Sequence, residues 1–242
     1  MLRVCVIGSG RVAQCIIPAL REAGLDVVEQ WSRADRITVD ADVYYFCIKD
    51  DALPEVVARF HHGFEDRLFI HSSGSVPMSV FADAGHRRGG VLYPMQTFSK
   101  GRSVDFSKLH YFVEATSKAD LSVVEQLALA LADDNVFNIH RMNSEQRRHL
   151  HLAAVFACNF VNHCCTLAED VLRPSGMDFS VMQPLLEETV AKLQALSPRE
   201  AQTGPAVRWD EQVMTKHKEL LAENPLACQI YELMSKSIHD KL

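Results

Sequence analysis

The chain has 242 residues, and no segment of it approaches 18 uninterrupted apolar residues, so no membrane span is expected. Basic charge is not in excess. Twenty-five Lys and Arg face 31 Asp and Glu, a net charge of −6, which argues against a nucleic-acid surface as the main business. The seven cysteines are odd in number and fall in apolar strand and helix patterns, so no disulfide framework is indicated and a reducing, cytoplasmic setting is expected. The opening Met1-Leu2-Arg3 runs directly into a core-strand pattern and lacks a signal-peptide layout. A metal centre is not expected either. His149 and His151 point to different helix faces, and His151 and Cys158 lie more than ~10 Å apart along a helix, far beyond a zinc–ligand bond.

What is present begins with Gly8-Ser9-Gly10-Arg11-Val12-Ala13, between the apolar run Val4–Ile7 and a helix-like segment from Gln14 to Ala23. A strand that ends in G-x-G-x-x-A and opens a helix is a dinucleotide fingerprint. Gly8 permits the turn, Gly10 lets backbone approach a pyrophosphate, and Ala13 keeps helix and strand close. The helix N-terminus offers free N–H groups to the phosphates. The second strand, about Asp26 to Gln30, ends in Trp31-Ser32-Arg33 with Arg36 close behind. No acidic residue stands at that tip to take a ribose 2′-hydroxyl; Glu29 falls earlier, within the strand. Ser32 and Arg33 suit a 2′-phosphate, so NADP is the expected cofactor.

Strand and helix patterns alternate up to about residue 140. Strands are expected over Asp42–Ile48, Arg67–His71, from Gly90, over Leu109–Glu114 and over Asn135–Ile139, with helices over Leu53–Phe60, Pro77–Gly85 and Lys118–Leu131. This order predicts an α/β fold with a doubly wound, mostly parallel sheet of Rossmann type over residues 1–141. From Asn143 to Leu172 there is neither glycine nor proline, enough for roughly 45 Å of helix. Further helices are expected over Ser180–Leu196, Glu211–Ala222 and Pro225–His239, with a loop over Pro198–Asp210. Residues 142–242 therefore read as an all-α domain. Apolar positions wrap around much of the long helix, and a second subunit would cover them, so a homodimer through the helical domain is expected.

Ligands of open parallel sheets bind beyond the carboxyl ends of the strands. Cys47-Ile48-Lys49 is placed to pass the cofactor there. Ser72 and Ser73 can orient a substrate or satisfy their own turn. Gln96 can donate to a substrate oxygen, and Thr203-Gly204-Pro205 supplies a fourth element. Tyr93 is either a proton donor or cover for a packed turn. On the long helix His151, Val155, Asn159, Asn162, His163, Thr166 and Asp170 fall near one face. His151 and Asn159 are about 12 Å apart along the axis and cannot share one reacting atom, whereas Asn159 and His163, about 6 Å apart, can. Asn159, His163 and Tyr93 are accordingly the expected catalytic residues, with Ser72, Ser73, Gln96 and Thr203 holding a small-molecule substrate.

Together the fingerprint, His71-Ser72-Ser73-Gly74, Pro94-Met95-Gln96-Thr97-Phe98, Asn159 and Thr203-Gly204-Pro205 with Arg208 and Asp210 resemble a particular branch. It comprises Rossmann-like proteins with a C-terminal helical domain of unknown function. They are related to pyrroline-5-carboxylate reductase, prephenate dehydrogenase and coenzyme F420-dependent NADP oxidoreductase. The resemblance implies NADP-linked reduction or oxidation of a small molecule, an imine, oxo acid or hydroxy acid, in an interlocked dimer. The chain departs from its relatives at Val155, where a lysine would precede Asn159 by one turn, and at Tyr93, where prephenate dehydrogenases carry histidine. A non-catalytic NADP-binding redox sensor is the alternative that these departures favour.

Overall fold

The computed structural model describes residues 2–30, 37–60 and 63–240. Contacts divide the chain into two compact units, Met1–Cys158 and Asn159–Leu242.

The first unit is built on a seven-stranded sheet: β1 (Arg3–Ile7), β2 (Asp26–Gln30), β3 (Val43–Phe46), β4 (Leu68–His71), β5 (Arg88–Pro94), β6 (Tyr111–Ala115) and β7 (Ile139–Arg141). Their order is β2-β1-β3-β4-β5-β6-β7, parallel except for β6 against β5. The connections reverse direction between β1 and β3, which makes that crevice the topological switch point. Strand alternation divides the core in two. Val4, Val6, Val43, Tyr45 and Ile70 face α1 (Arg11–Glu22) and α4 (Lys118–Leu131). Cys5, Ile7, Tyr44, Phe46 and Phe69 face α2 (Leu53–Arg59) and α3 (Ser79–Asp83).

The next helix, α5 (Ser144–Ala154), starts on a full capping box: Asn143 and Gln146 satisfy each other's backbone N–H groups. Its Leu150 packs on Val91, Tyr93 and Phe112 of the sheet. Because α5 is anchored there, the compact unit extends beyond residue 141, where the change in composition falls. The expected α-helix to Leu172 is interrupted by a π-helical turn, Val155–Phe160, before α6 (Val161–Leu172). The run 144–175 is long and apolar enough to cross a membrane by length and mean hydropathy, 1.3. The 3.6-residue stripe expected from His151 to Asp170 does not continue through it, because a π turn takes an extra residue.

The second unit is helical throughout its regular structure: α6, α7 (Gln183–Lys192), α8 (Pro205–Arg208), α9 (Glu211–Leu220) and α10 (Pro225–His239). The expected loop over 198–210 contains α8, started by Pro205 in the first helical position. It stops at Trp209, which adopts a left-handed φ of 51°. Asp210 then caps α9 by accepting from Val213 N–H.

Candidate functional site

At the switch point, Gly8 has φ +140°, and a Cβ there would sit 2.3 Å from the Cys47 carbonyl oxygen. No other residue fits between β1 and the loop after β3. Gly10 is the N-cap of α1, without a side-chain cap and without an acidic residue in the first turn. The first N–H groups of α1 are therefore left for an anion, and no carboxylate repels it. Ser9, Gly10 and Arg11 are exposed, Val12 is half-buried, and Ala13 is fully buried against the sheet. Cys47 is buried, and burial pushes its thiol up to about 12; the Ser72 hydroxyl bonds to it, joining the β3 and β4 loops. Ile48 is half-buried and Lys49 exposed beside them. Such a cradle fits a dinucleotide pyrophosphate.

Glu29 lies inside β2 and is held by Arg21 at 2.8 Å, and Gln30 turns inward to accept from Thr38 N–H at 3.1 Å. Neither is an acidic group standing free at the strand tip. Ser32, Arg33 and Arg36, the basis of the expected NADP preference, lie outside the described residues.

The serine loop after β4 is shaped from within. Ser73 Oγ accepts from Ser75 N–H at 3.1 Å and Val76 N–H at 2.9 Å, so this hydroxyl holds its turn. Ser72 is half-buried against Phe46 and Cys47. The Ser75 hydroxyl donates to Asp50, which opens the short helical turn after β3. His71 Nδ1 accepts Ser73 N–H at 3.1 Å, and burial, then the nearby Arg147 charge, lowers its imidazole from 6.5 to about 3. Gln96 is exposed and its carbonyl accepts Thr97 N–H at 2.8 Å.

Two residues that sequence reasoning left out of the site, Arg147 and His151, meet this loop. Arg147 is 1% exposed, paired with Glu114 of β6 and donating to the Val76 carbonyl at 2.7 Å and to Ser144 Oγ at 3.2 Å. His151 brings Nδ1 to 3.2 Å from the Tyr93 hydroxyl. A Cβ on Gly74 would lie 2.5 Å from that same Nδ1. Glycine at 74 is thus explained by the imidazole packed over it. Tyr93 is 9% exposed at the carboxyl end of β5. Burial raises its phenol above the ordinary value; the Asp50 charge adds to this and the Arg147 charge opposes it. The one sequence signal for Arg147 is a capped helix start that brings it into the first turns of α5; nothing local distinguishes His151 from His149.

The expected catalytic set is divided between the units. Tyr93 belongs to the first. Asn159, inside the π turn, and His163, on α6, are both exposed residues of the second. Thr203, also exposed, lies in the second unit beside α8. Among the described residues no group of three or more His, Cys, Asp or Glu is placed to hold a metal ion.

Residues 109–238 match the domain of unknown function DUF2520, more than half of the chain. Over 99% of its length the chain is 36% identical to BF3122 of Bacteroides fragilis, a protein given provisionally as an NADP oxidoreductase, with 98% of that chain covered and a TM-score of 0.90. The chain belongs to the DUF2520 family. Its fold is shared, at 10% identity and TM-score 0.59, with the NADP-bound pyrroline carboxylate reductase of Plasmodium falciparum, covering 98% of each chain. An imine reductase of Streptomyces aurantiacus is 14% identical, with TM-score 0.65, over 98% of this chain and 93% of that one. No curated protein sequence matches the chain. The kinship with the pyrroline-5-carboxylate reductase group therefore holds at the level of fold, and the family match runs from just before β6 into α10.

Proposed function

We propose that this DUF2520 protein is an NADP-dependent oxidoreductase acting on a small imine, oxo acid or hydroxy acid. The observation that carries the proposal is the Gly8 cradle: a backbone approach that excludes any Cβ, beside a helix start free of caps and carboxylates. When bound, the dinucleotide supplies or accepts a hydride. Gly8, Ser9, Gly10, Arg11 and Val12 hold the pyrophosphate, and Cys47, Ile48 and Lys49 line the adjoining loop. Ser32 and Arg33 select the 2′-phosphate. Glu29 does not compete for the ribose, because Arg21 holds it.

Ser72, Gln96 and Thr203 contact substrate in this reading, Ser73 keeps the serine turn in shape, and Tyr93 carries the proton. Asn159 and His163 are the candidates that the helical unit offers. Convergence of Tyr93, the serine loop and Asp50 at the carboxyl ends of the strands favours catalysis over a sensor role. A second copy of the chain covers the exposed apolar side chains Leu152, Phe156, Phe160 and Val161. Asn159, Asn162, His163 and Thr166 punctuate that surface, which suits a protein partner better than lipid. The free cysteines fit a reducing, cytoplasmic compartment.

Calorimetric titration with NADPH and NADH, followed by turnover on a panel of cyclic imines, oxo acids and aldehydes, tests the proposal. Tighter NADPH binding that is weakened by Arg33→Ala, with turnover on at least one panel member, is expected. Absence of binding by both nucleotides refutes it.

A further inference from the structure

Tyr93 lies where a proton donor is wanted, at the carboxyl end of β5, yet it is a poor source of protons. It is 9% exposed, and both its burial and the Asp50 charge hold the phenol in its neutral form. A buried hydroxyl that gives up a proton must be resupplied by a neighbour. His151 is that neighbour. Its Nδ1 is 3.2 Å from the Tyr93 oxygen, its ring stands nearly edge-on to the phenol (74°, centroids 6.0 Å apart), and it is only half-buried, with access to water. An imidazole exchanges protons with water near neutral pH.

We propose that His151 and Tyr93 form a proton relay, with Gly74 as its spacer. This rests on the oxidoreductase reading above and adds the source of the proton. The Tyr93 O–H bond breaks as its proton bonds to the oxygen or nitrogen of the reduced carbonyl or imine. The His151 Nδ1–H bond breaks in the same event, and that proton re-forms the phenol. The neutral imidazole then takes a proton from solvent. The relay moves protons only; the electron pair is that of the hydride assigned above to the dinucleotide. No free tyrosinate forms, so the burial of Tyr93 does not oppose the step. The charged groups facing the pair are Asp50, from the turn after β3, and Arg147 of α5, itself paired with Glu114 of β6. Gly74 sets the imidazole position from below, since a Cβ there would meet Nδ1 at 2.5 Å and Cγ at 2.8 Å.

The test uses the full chain with and without NADPH. Imidazole-nitrogen NMR of the free protein reads the His151 ring, its signal being the one missing in His151→Asn. Tyr93→Phe is expected to shift the His151 Nδ1 resonance, because the phenol hydroxyl no longer shares a hydrogen bond with it. Gly74→Ala is expected to remove the same coupling with Tyr93 intact. In turnover, His151→Asn is expected to lower kcat by about 10²-fold or more and flatten its pH profile, with KM and NADPH affinity unchanged. An unchanged His151 Nδ1 resonance in Tyr93→Phe overturns the relay even where the enzyme turns over. Coupling without turnover of any panel member overturns the oxidoreductase reading, and the relay with it. Unaltered NADPH affinity in the variants separates either failure from loss of the fold.

Discussion

Removal of Arg147 is the perturbation with the widest structural reach. Its guanidinium is buried, pairs with Glu114 and fixes the Val76 carbonyl that closes the serine loop. Arg147→Ala leaves the Glu114 carboxylate, 16% exposed, beside apolar packing without its partner. Breaking a buried pair from one side costs about 3–5 kcal/mol. The partial exposure of Glu114, and its remaining bonds from Ser144 N–H at 3.0 Å and Ser144 Oγ at 2.7 Å, place this case at the lower end. For a unit of this size about 3 kcal/mol lowers Tm by about 6–12 °C. The neutral pair Arg147→Met/Glu114→Gln keeps an acceptor for Ser144 and is expected to regain at least half of the loss. Thermal unfolding reads the first effect. Amide hydrogen exchange reads the second, as faster exchange at Ser75 and Val76, whose N–H groups are held by Ser73. A fall in Tm below about 2 °C with unchanged exchange would show that the pair contributes neither stability nor loop order.

Gly8→Ala places a methyl against the Cys47 carbonyl at a positive φ, and NADPH affinity is expected to fall at least about tenfold with a strain cost of about 1–3 kcal/mol; wild-type titration curves would contradict the cradle. His71 titrates near 6.5 when unfolded and at about 3 when folded, so below pH 6.5 the unfolded chain binds a proton that the native state refuses. Stability is then lost progressively as pH falls from 6.5 toward 3, and His71→Gln should flatten that limb in urea titrations at pH 7 and pH 4.5; parallel loss in both proteins would refute the assignment. Phe156→Asp, on the exposed apolar surface, is expected to convert a two-chain mass in light scattering to one; a wild-type monomer at tens of micromolar would refute the dimer.

The nucleotide half was legible because its signals are local. The fingerprint, the strand runs and α4, found at Lys118–Leu131, depend on neighbours in sequence. The antiparallel β6 was not legible, since strand direction is set by pairing partners rather than by pattern. The π turn escaped for a related reason: Val155–Phe160 has helical composition, and the extra residue leaves no mark in it. Tyr93 drew attention through its unusual loop, but nothing in the sequence marked the imidazole beside it. His151 is 58 residues away, and only folding brings the two rings together. His163 drew attention through helical spacing from Asn159, a relation within one helix that says nothing about the sheet. Ser73 was balanced between substrate and turn, and its two backbone bonds fall on the side of the turn.

The sheet ends in two unlike borders. On one side β7 has three residues and finishes in Arg141, which is tied to Glu125 at 2.5 Å. On the other, β2 carries Asp26 and Glu29, each salt-bridged to an arginine. A short rim and a charged rim both discourage another chain from adding a strand. Fibre-like stacking through the sheet is therefore disfavoured, and a newly made copy has little to aggregate through at its pleated edges.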